Sequence, residues 1–500
     1  MQRLTGLDEM YLALDTPKTT GHVAGIAVFE ASPPPPGGRL AWLRTRVAER
    51  LPMLPLLRWS LHSVPLGLDA RHWVEVEDLN LEEHIVATSL PTPGSRQQLL
   101  DFVDGIMAEH LPRDRPMWRI HLIEGLENGG FALLVKITHG LTDGSALWAI
   151  YDALSDEPSD APRTESAPLS PLRRRVALAR RALTQTIARP LEVAKLQADL
   201  AAWASGQVAK EGMAALPHTL MRVLPGELSR PFGGLLAKVG EEHQRDIEPL
   251  MPTMRPPASP FNGTVTTNLG VALTDFAVAD LRAVGKKVGG TVNDAVLAIT
   301  AGALRAYMAD HGGVSDQPLI GSAPISWRTG QETERWANHV WMLFLPIPTH
   351  LTDPTARVRF AHEAATRAKT TWDNIPSHLV RRAAALIPSA IMAPGARIMT
   401  ALPAGVVPRL YNVAISNVRG PQQSPVYAGA PIAEYFIYGF LSPGCGLLVA
   451  GQSLGDRMIL SATACKDIVP DYATFPSYMQ ASMKEHLAAP AEEPKTTKAS

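Results

Sequence analysis

The sequence predicts an α/β or α+β protein with two domains, and three features indicate this. The chain has 500 residues, of which 46% are hydrophobic, which is more than one hydrophobic core usually holds. Short β-like runs and helical patterns are mixed in both halves. A segment at 157–171, rich in proline, serine and acidic residues, lies between the halves and is typical of a linker.

These patterns divide the chain into four parts. We predict a first domain over 1–157, a linker with connecting helices over 158–259, a second domain over 260–487 and a disordered tail over 488–500. In the first domain the predicted strands lie at 23–29, 73–76 and 131–138, and the helices at 40–51 and 96–110. In the second they lie at 264–273, 436–440, 446–450 and 458–464, with helices at 277–287 and 292–311.

Charge and cysteine content exclude several classes of function. With 47 Lys and Arg against 48 Asp and Glu, the net charge of −1 offers no general attraction for nucleic acid. Cys445 and Cys465 form neither a disulfide framework nor a metal-binding pattern, and the first residues include acids that a signal peptide would lack. We therefore predict a cytoplasmic protein without a metal or cofactor.

Two apolar segments bear on contact with lipid. The segment 383–407 is too often interrupted by proline and by Arg397 to span a membrane, and it could line an apolar tunnel or enter an interface. A buried, proline-broken helix is the preferred interpretation. A helical stretch from Leu172 to about Ala215 begins with several arginines among apolar residues. It suits an anionic membrane surface or a lipid inclusion, and a solvated connecting helix explains it equally well.

The candidate catalytic residue is His139. The apolar run at 131–138 predicts a strand, and a helical pattern begins at Gly144, so His139 lies where a rigid strand meets a polar loop. An imidazole at this place suits general-base chemistry near neutral pH. Asp143 either braces the loop or caps the helix, with the cap preferred, and Gly144 permits close packing where the loop meets the helix. The pattern His-x-x-x-Asp-Gly alone is moderate evidence.

A second pattern, Gly-x-Ser-x-Gly at 451–455, is that of a hydrolase nucleophile elbow with Ser453 as the nucleophile. Such an elbow requires a helix after the serine. Here a strand pattern follows from Met458, so 454–457 predict a hairpin turn instead. We expect no covalent nucleophile at Ser453.

Several motifs in one order resemble the bacterial wax ester synthase/diacylglycerol acyltransferases, a branch of the CoA-dependent acyltransferase superfamily. The His139 segment is similar to the superfamily's His-His-x-x-x-Asp-Gly, with Thr138 in place of the first histidine. Further matches cover most of the chain, with Arg419 where related sequences more often have proline. They are the segments at 4–11, 21–25, 115–118, 291–298, 324–328 and 416–421.

The resemblance implies two similar chloramphenicol-acetyltransferase-like domains with the active site at their interface. It implies direct acyl transfer with the second motif histidine, His139, as the base. It also places Asn293 and Asp294 near the active site, although an ordinary helix N-terminus explains them equally well. Pro116 and Trp118 match the family's Pro-Leu-Trp and are expected to be structural neighbours of the site rather than catalytic.

The sequence therefore predicts an acyl-CoA-dependent O-acyltransferase. It would transfer a fatty acyl group from acyl-CoA, its substrate, to diacylglycerol, to a long-chain alcohol, or to both. We also expect the protein to associate peripherally with the surface of the inner membrane or of lipid inclusions. The alternative is a catalytically weakened paralogue that binds lipid or coats lipid inclusions.

Overall fold

The structure is a computed structural model. It describes a set of residues that covers most of both predicted domains: 1–64, 69–142, 144–159, 168, 170–211, 256–326, 336, 338, 340–373, 376, 379, 382, 389–402 and 409–490. The predicted disordered tail lies outside the described residues from 491 onward.

The described strands belong to three sheets. In chain order they are β1 (Gln2–Arg3), β2 (His22–Phe29), β3 (Trp59–His62), β4 (His72–Glu75), β5 (Ile85–Ser89), β6 (Trp118–Glu124), β7 (Phe131–Thr138), β8 (Leu269–Ala277), β9 (Leu319–Ser326), β10 (Val340–Ile347), β11 (Val413–Val418), β12 (Val426–Tyr427), β13 (Ala430–Tyr438), β14 (Leu447–Leu454) and β15 (Arg457–Cys465).

The described helices lie mainly between these strands. They are α1 (Gly6–Leu14), α2 (Arg39–Arg50), α3 (Leu81–His84), α4 (Arg96–Ala108), α5 (Gly144–Leu154), α6 (Pro171–Glu211), α7 (Val278–Lys286), α8 (Val292–Asp310), α9 (Pro354–Asp373), α10 (Ser389–Ala401) and α11 (Phe475–Ala488). Capping boxes begin α1, α4 and α8, because a Thr or Ser and the third helical residue bond each other's backbone amides. Among the described residues, none of the helices combines the length and apolar character needed to cross a bilayer.

Two six-stranded mixed sheets form the two halves of the molecule. The first has the order β12-β13-β2-β7-β6-β5 and the second β10-β9-β11-β14-β15-β8. A smaller sheet, β1-β4-β3, accompanies the first. The predicted mixed α/β architecture with two domains is confirmed, and most predicted strands and helices agree with the observed ones to within a few residues.

One strand of the predicted second domain belongs to the first sheet. β13 pairs antiparallel with β2, from Ile432 opposite Phe29 to Tyr438 opposite Ala24. The next strand, β14, lies in the second sheet between β11 and β15. Local patterns identify the strand at 430–438, but they do not specify its partner, because the pairing is a tertiary choice.

An apolar layer between the halves joins the two sheets. It contains Val103 from α4, Leu134 from β7, and Val271 and Ile459 from the second sheet, all buried. Separate apolar cores fill each half, one around β2, β7 and α5 and the other around α8. The two halves therefore share buried surface as well as a strand.

Asp104 is the main polar tie within this apolar layer. Its Oδ1 accepts hydrogen bonds from the Val271 amide at 3.1 Å and from the Tyr438 hydroxyl at 3.2 Å, and its Oδ2 accepts from Lys466 Nζ at 2.9 Å. Burial raises the pKa of Asp104, and these donors oppose that shift. The Asp104 carboxylate thus joins α4 of the first half to β8, to β13 and to the residue directly after β15.

We expect Asp104→Asn to lower the free energy of unfolding by about 1–3 kcal/mol, because an amide cannot accept from all three donors and leaves a buried group unpaired. The matched control is Asp101→Asn on the same helix, where the carboxylate is exposed and accepts a hydrogen bond from Gln97. That change should stay within about 0.5 kcal/mol. Urea denaturation followed by tryptophan fluorescence measures both, and equal midpoints for the two variants would contradict the role of Asp104.

Candidate active site

His139 directly follows the last residue of β7 and begins the loop that leads into α5. Two backbone bonds fix this loop: the His139 amide donates to the Gly21 carbonyl at 3.0 Å, and the Leu141 amide donates to the Thr138 carbonyl at 3.1 Å. The His139 side chain is half-buried. The strand end therefore places the imidazole on a rigid support, in the position that the sequence predicts.

Two aromatic rings flank the imidazole. The Tyr11 ring of α1 stacks on it, with centroids 4.1 Å apart and planes 13° from parallel. The Phe440 ring meets it edge to face at 5.9 Å and 75°. Phe440 comes just after β13, so both halves of the chain shape the surroundings of His139. These contacts fix the plane of the imidazole and limit the access of water to it.

Gly140 allows α1 to lie close to the loop. A Cβ at this position would come within 2.9 Å of Leu12 Cγ and 3.0 Å of the Asp8 carbonyl oxygen, closer than side chains tolerate. Glu9 of the same helix accepts hydrogen bonds from the Arg71 amide at 3.0 Å and from its Nε at 2.9 Å. Helix α1 is thus bonded to Arg71 on one side and packs against Gly140 on the other. This position places the Tyr11 ring over the His139 imidazole.

The second half reaches the loop at two further points. Asn338 Nδ2 donates to the His139 carbonyl at 3.4 Å, and Asn338 itself is buried. A Cβ added at Gly144 would lie 4.0 Å from Val418 Cγ2, at the end of β11. His139 and Gly144 therefore lie at the seam between the two halves. Asp143, the third predicted motif residue, lies outside the described residues.

Thr138 points away from the face that carries His139. It pairs with His22 across β2 and β7 and shares one side of the sheet with Lys136, two residues earlier. Lys136 Nζ donates to the carbonyls of Ile106 at 2.6 Å and Glu109 at 2.5 Å at the end of α4, and burial lowers its pKa to about 8. The fully buried Thr138 hydroxyl meets no hydrogen-bond partner among the described residues.

A polar cluster of Asp15, His22 and His110 supports the loop that begins with His139, through Gly21. Asp15 Oδ1 lies 2.8 Å from His110 Nδ1 and 3.4 Å from His22 Nε2, and Asp15 Oδ2 accepts from Arg113 at 3.0 Å. Burial acts to raise the pKa of Asp15, and its imidazole and guanidinium neighbours outweigh burial and lower that pKa. The Gly21 amide also donates to Asp15 Oδ1, at 3.3 Å, so the cluster holds the residue that anchors His139.

The same three side chains are the group among the described residues whose ligand atoms lie close enough for a metal ion, within 4.8 Å of one another. His22 Nε2 already accepts a hydrogen bond from the Leu111 amide at 3.2 Å. Both Asp15 oxygens also accept hydrogen bonds. Internal bonds thus occupy the lone pairs that a metal would need.

Pro116 and Trp118 lie behind the site in the first core. The Trp118 indole Nε1 donates to the Leu57 carbonyl at 2.7 Å, and the ring stacks on His84 with centroids 4.3 Å apart. The Pro116 carbonyl accepts from the Trp118 amide at 3.0 Å, and the Met117 carbonyl accepts from the Thr138 amide at 3.0 Å. This segment supports the end of β7.

Asn293 and Asp294 open α8 in the second half. Asp294 closes a capping box with Thr291, and its Oδ2 also lies 2.9 Å from His362 Nδ1. Asn293 Oδ1 accepts from Asn417 Nδ2 at 3.4 Å. Asn417 precedes Val418, whose Cγ2 lies 4.0 Å from the position that a Cβ on Gly144 would take, so this pair lies in the same region as the start of α5.

Ser453 is a structural residue of a hairpin. β14 and β15 pair antiparallel up to Leu454 opposite Arg457, which confirms the predicted turn. The Ser453 hydroxyl accepts a hydrogen bond from the Gly420 amide at 2.9 Å. Since the next element is a strand, the nucleophile elbow is absent at this position.

Tyr11, Phe440 and the Asp15 cluster lie around His139 although no sequence motif predicted roles for them. Tyr11 and His22 fall within the segments 4–11 and 21–25 that carry the resemblance. Membership of these segments was the one sign in the sequence that they lie near the site. Phe440 had none, because its approach to His139 depends on β13 joining the first sheet.

Comparison with family models places most of the chain in one family. Residues 4–296 match the wax ester synthase/diacylglycerol acyltransferase catalytic domain, and residues 336–486 match the C-terminal domain of the same family. A probable diacylglycerol O-acyltransferase of Mycobacterium tuberculosis is 26% identical over 485 residues, covering 96% of this chain and 97% of its own. A second relative from that organism, provisionally named for the same activity, is 28% identical over 495 residues, with 98% of each chain covered.

Solved structures show the same fold. The wax ester synthase/diacylglycerol acyltransferase from Marinobacter aquaeolei superposes with a TM-score of 0.63 at 22% identity, covering 97% of this chain and 98% of that one. The first condensation domain of the CDA synthetase gives a TM-score of 0.55 at 12% identity, over 98% and 97% of the two chains. The chain therefore has the two-domain architecture of chloramphenicol-acetyltransferase-like proteins.

We expect His22 to remain neutral across the physiological pH range. Burial lowers its pKa from 6.5 to about 3, and Asp15 opposes this only in part. The stability contributed by the neutral imidazole is complete above about pH 6.5 and is lost as the pH falls toward 3, because the unfolded chain takes up a proton that the folded chain does not. The NMR signal of labelled histidine that disappears in His22→Gln should not titrate between about pH 5 and 8.

The control for this measurement is His311, where a hydrogen bond to Asp471 raises the pKa above 6.5. Its signal, identified by His311→Gln, should titrate with a midpoint above that of a free imidazole. A His22 signal with a midpoint near that of a free imidazole would show that its surroundings are wetter than the structure has them.

Proposed function

The chain belongs to the wax ester synthase/diacylglycerol acyltransferase family, and on that premise we propose that it transfers a fatty acyl group from acyl-CoA to an alcohol with His139 as the general base. The acceptors are diacylglycerol, a long-chain alcohol, or both. The observation that carries this proposal is the position of His139, at a rigid strand end on the seam between the halves, with Tyr11 and Phe440 against its ring.

The proposed reaction is direct transfer in a single complex of both substrates. His139 takes the proton from the acceptor hydroxyl as its oxygen attacks the thioester carbonyl carbon. The tetrahedral intermediate then collapses, the carbon–sulfur bond breaks, and the departing CoA thiolate receives the proton from the imidazolium. The products are an ester and CoA, and no covalent acyl-enzyme forms. The position of Ser453 in a hairpin is consistent with this absence.

A lipid surface is the proposed location of the reaction, and α6 is the element that would dock on it. Five of the eight exposed large hydrophobic side chains in the described part of the chain belong to this helix. Leu172, Val176 and Leu183 are 73%, 60% and 62% exposed. At 3.6 residues per turn they fall within about 40° of one another, as one apolar stripe.

The opposite side of α6 is anchored to the protein. Leu178 and Ala182 are buried against Val64 and Val74 of the first half. Arg173, Arg175 and Arg180 are exposed on the same turns as the apolar stripe. An apolar stripe flanked by cations complements an anionic lipid surface, although the net charge of the chain is only −1.

We expect His139→Ala to reduce transfer from palmitoyl-CoA to dioleoylglycerol or hexadecanol by at least about 100-fold, because a positioned base contributes a factor of this size or more. The control is His311→Ala, which removes a surface histidine and should leave the rate within about twofold. Product analysis by thin-layer chromatography and circular dichroism of each variant measure activity and folding. Full activity of folded His139→Ala would remove this residue from the mechanism.

A companion variant, Thr138→Val, tests the weakened paralogue as the alternative. Thr138 has a buried hydroxyl that meets no hydrogen-bond partner in the described part of the chain, and it faces away from His139, so the valine variant should keep the wild-type rate within about threefold. A wild-type protein that binds lipid and yields no ester with any acyl-CoA and alcohol would favour the alternative.

For docking, we expect the triple variant Leu172→Gln, Val176→Gln, Leu183→Gln to bind phosphatidylglycerol vesicles at least about tenfold more weakly, because it loses the apolar surface that enters the lipid. Leu487→Gln, an exposed leucine on α11, is the matched control and should bind normally. Vesicle flotation measures both. Equal flotation of the triple variant and wild type would show that α6 is a solvated connecting helix.

A further inference from the structure

The second sheet carries a buried side-chain amide that the proposed mechanism does not use. Gln452 of β14 is 2% exposed, and neither its Oε1 nor its Nε2 meets a hydrogen-bond partner in the described part of the chain. A buried amide without partners costs free energy, and folded proteins rarely keep one. Both a donor and an acceptor are therefore available at this position for a bound molecule.

Gln452 faces the first half of the molecule. Residues paired across neighbouring strands point to the same face of a sheet, and Gln452 is paired with Val418 of β11 and Ile459 of β15. Ile459 packs in the apolar layer between the halves. Ala450, two residues before Gln452 and on the same face, packs in the core of the first half. The amide thus lies on the side of the second sheet that meets the first.

The same strands bring Gln452 close to the loop that follows His139. Val418 Cγ2 lies 4.0 Å from the position that a Cβ on Gly144 would take, where this loop enters α5. Neighbouring strands lie about 5 Å apart, so Gln452 is beside the strand residue that faces the start of α5. A ligand bonded to the amide would lie in the seam between the halves, next to the loop that carries the base.

The residues that follow β11 leave the amide just below the surface. Gly420 lies against it, since an added Cβ there would come within 2.6 Å of Gln452 Nε2. Val418 and Gly420 are half-buried, and Arg419 between them is exposed. Because glycine places no side chain over the amide, a ligand can reach Gln452 from this edge of the seam with little rearrangement.

Arg419 adds a positive charge at the same edge. Its guanidinium has no ion pair or hydrogen bond with any other residue that the structure describes. Guanidinium groups bind phosphates strongly, because their donors match the phosphate oxygens in pairs. The edge therefore combines a cation suited to phosphate with a buried donor and acceptor.

CoA is the substrate whose chemistry matches both groups. Its pantetheine arm contains secondary amides, each with one donor and one acceptor, and its nucleotide end carries phosphates. The ester groups of diacylglycerol only accept hydrogen bonds, and its free hydroxyl must reach His139. A long-chain alcohol has no polar group besides its hydroxyl. The two side chains thus favour CoA over either acceptor as their ligand.

We propose that Gln452 binds an amide of the pantetheine arm of acyl-CoA and that Arg419 binds its phosphates. CoA then lies between the end of β11 and the start of α5, with its thioester directed toward His139. The inference rests on the proposed function for the identity of the substrate, and on the unpaired amide and cation for its chemistry. Since related sequences more often have proline at the position of Arg419, the phosphate contact is a feature of this chain.

The first test removes the amide and compares thioesters of decreasing length. Gln452→Met keeps nearly the same volume and lacks both hydrogen-bonding groups. At fixed dioleoylglycerol, kcat/KM should fall at least about fivefold with palmitoyl-CoA and with S-palmitoylpantetheine, which has the amides and no phosphates. With S-ethyl thiopalmitate, which has neither, it should stay within about twofold. The KM for dioleoylglycerol should not change, and a change confined to it would overturn the proposal.

A purely structural role of the amide predicts a different result. Gln480 of α11 donates to the Thr274 hydroxyl and the Asp275 carbonyl, so Gln480→Met should lower the urea midpoint and leave each KM unchanged. Gln452→Met should keep or raise the urea midpoint, because it removes a buried amide that has no partner. A lowered midpoint with unchanged KM values for Gln452→Met would overturn the proposal.

The phosphate contact is tested by Arg419→Gln. This variant should lose about threefold in kcat/KM with palmitoyl-CoA at low salt and nothing at about 1 M salt, because exposed charges are screened. S-palmitoylpantetheine should be unaffected. Arg282→Gln, which removes an exposed arginine of α7, is the matched control and should change neither. Equal losses with the two thioesters, or equal rates for the two variants, would remove Arg419 from the site.

Failure of the proposed function can be told apart from failure of this inference. If wild-type protein gives no ester, binding of CoA measured by isothermal titration calorimetry still tests the site. Gln452→Met should bind CoA at least about fivefold more weakly than wild type, and Gln480→Met should bind it normally. No binding of CoA by wild type, or equal binding by the two variants, would overturn the inference whatever the activity. Ester formation with an unchanged thioester profile in Gln452→Met would overturn the inference alone.

Discussion

The pairing of β13 with β2 is the constraint on which the arrangement of the molecule depends. The chain completes much of its second half, adds β13 to the first sheet, and returns to the second sheet at β14. Hydrogen bonds between β13 and β15 reinforce this crossing of the chain between the sheets. The Ser461 hydroxyl donates to the Ile437 carbonyl at 2.6 Å, and the Gly439 amide donates to the Thr463 hydroxyl at 3.1 Å. Neither half can move far from the other without breaking a sheet. Phe440, which follows β13 directly, is thereby held against His139.

The loop that begins with His139 is also held by polar contacts to the residues just before β2. Gly21 directly precedes β2, and its carbonyl accepts a hydrogen bond from the His139 amide. The Gly21 amide in turn donates a hydrogen bond to Asp15 Oδ1. The buried His22 beside them can take part in this network as a neutral ring, because burial, and to a smaller extent the nearby Lys136, lower its pKa. The replacement of the first motif histidine by Thr138 changes this supporting layer, on the face of the sheet opposite His139.

Features that depend on residues close together in the sequence could be predicted, and features that depend on residues far apart in the sequence could not. The strand at 131–138 was predicted with the observed bounds, because an uninterrupted apolar run between turn signals is a local property. The hairpin around Leu454 and the start of α8 were predictable for the same reason. The partner of β13 and the stacking of Tyr11 on His139 could not be predicted, because each depends on residues more than a hundred positions apart meeting in space.

On the proposed function, the surroundings of His139 also explain how an alcohol could be preferred over water as the acceptor. Two aromatic rings lie against the imidazole, so the space beside it is apolar and poorly suited to a mobile water molecule. An alcohol that carries a long hydrocarbon chain gains free energy from apolar contact as its hydroxyl reaches the base, and water gains none. Selectivity would then come from the chain, at a distance from the reacting atoms, and remote binding of this kind holds the hydroxyl in position for attack. The seam between the halves is the place where such a chain, the thioester and the imidazole can meet, and the pairing of β13 with β2 holds the two halves together there.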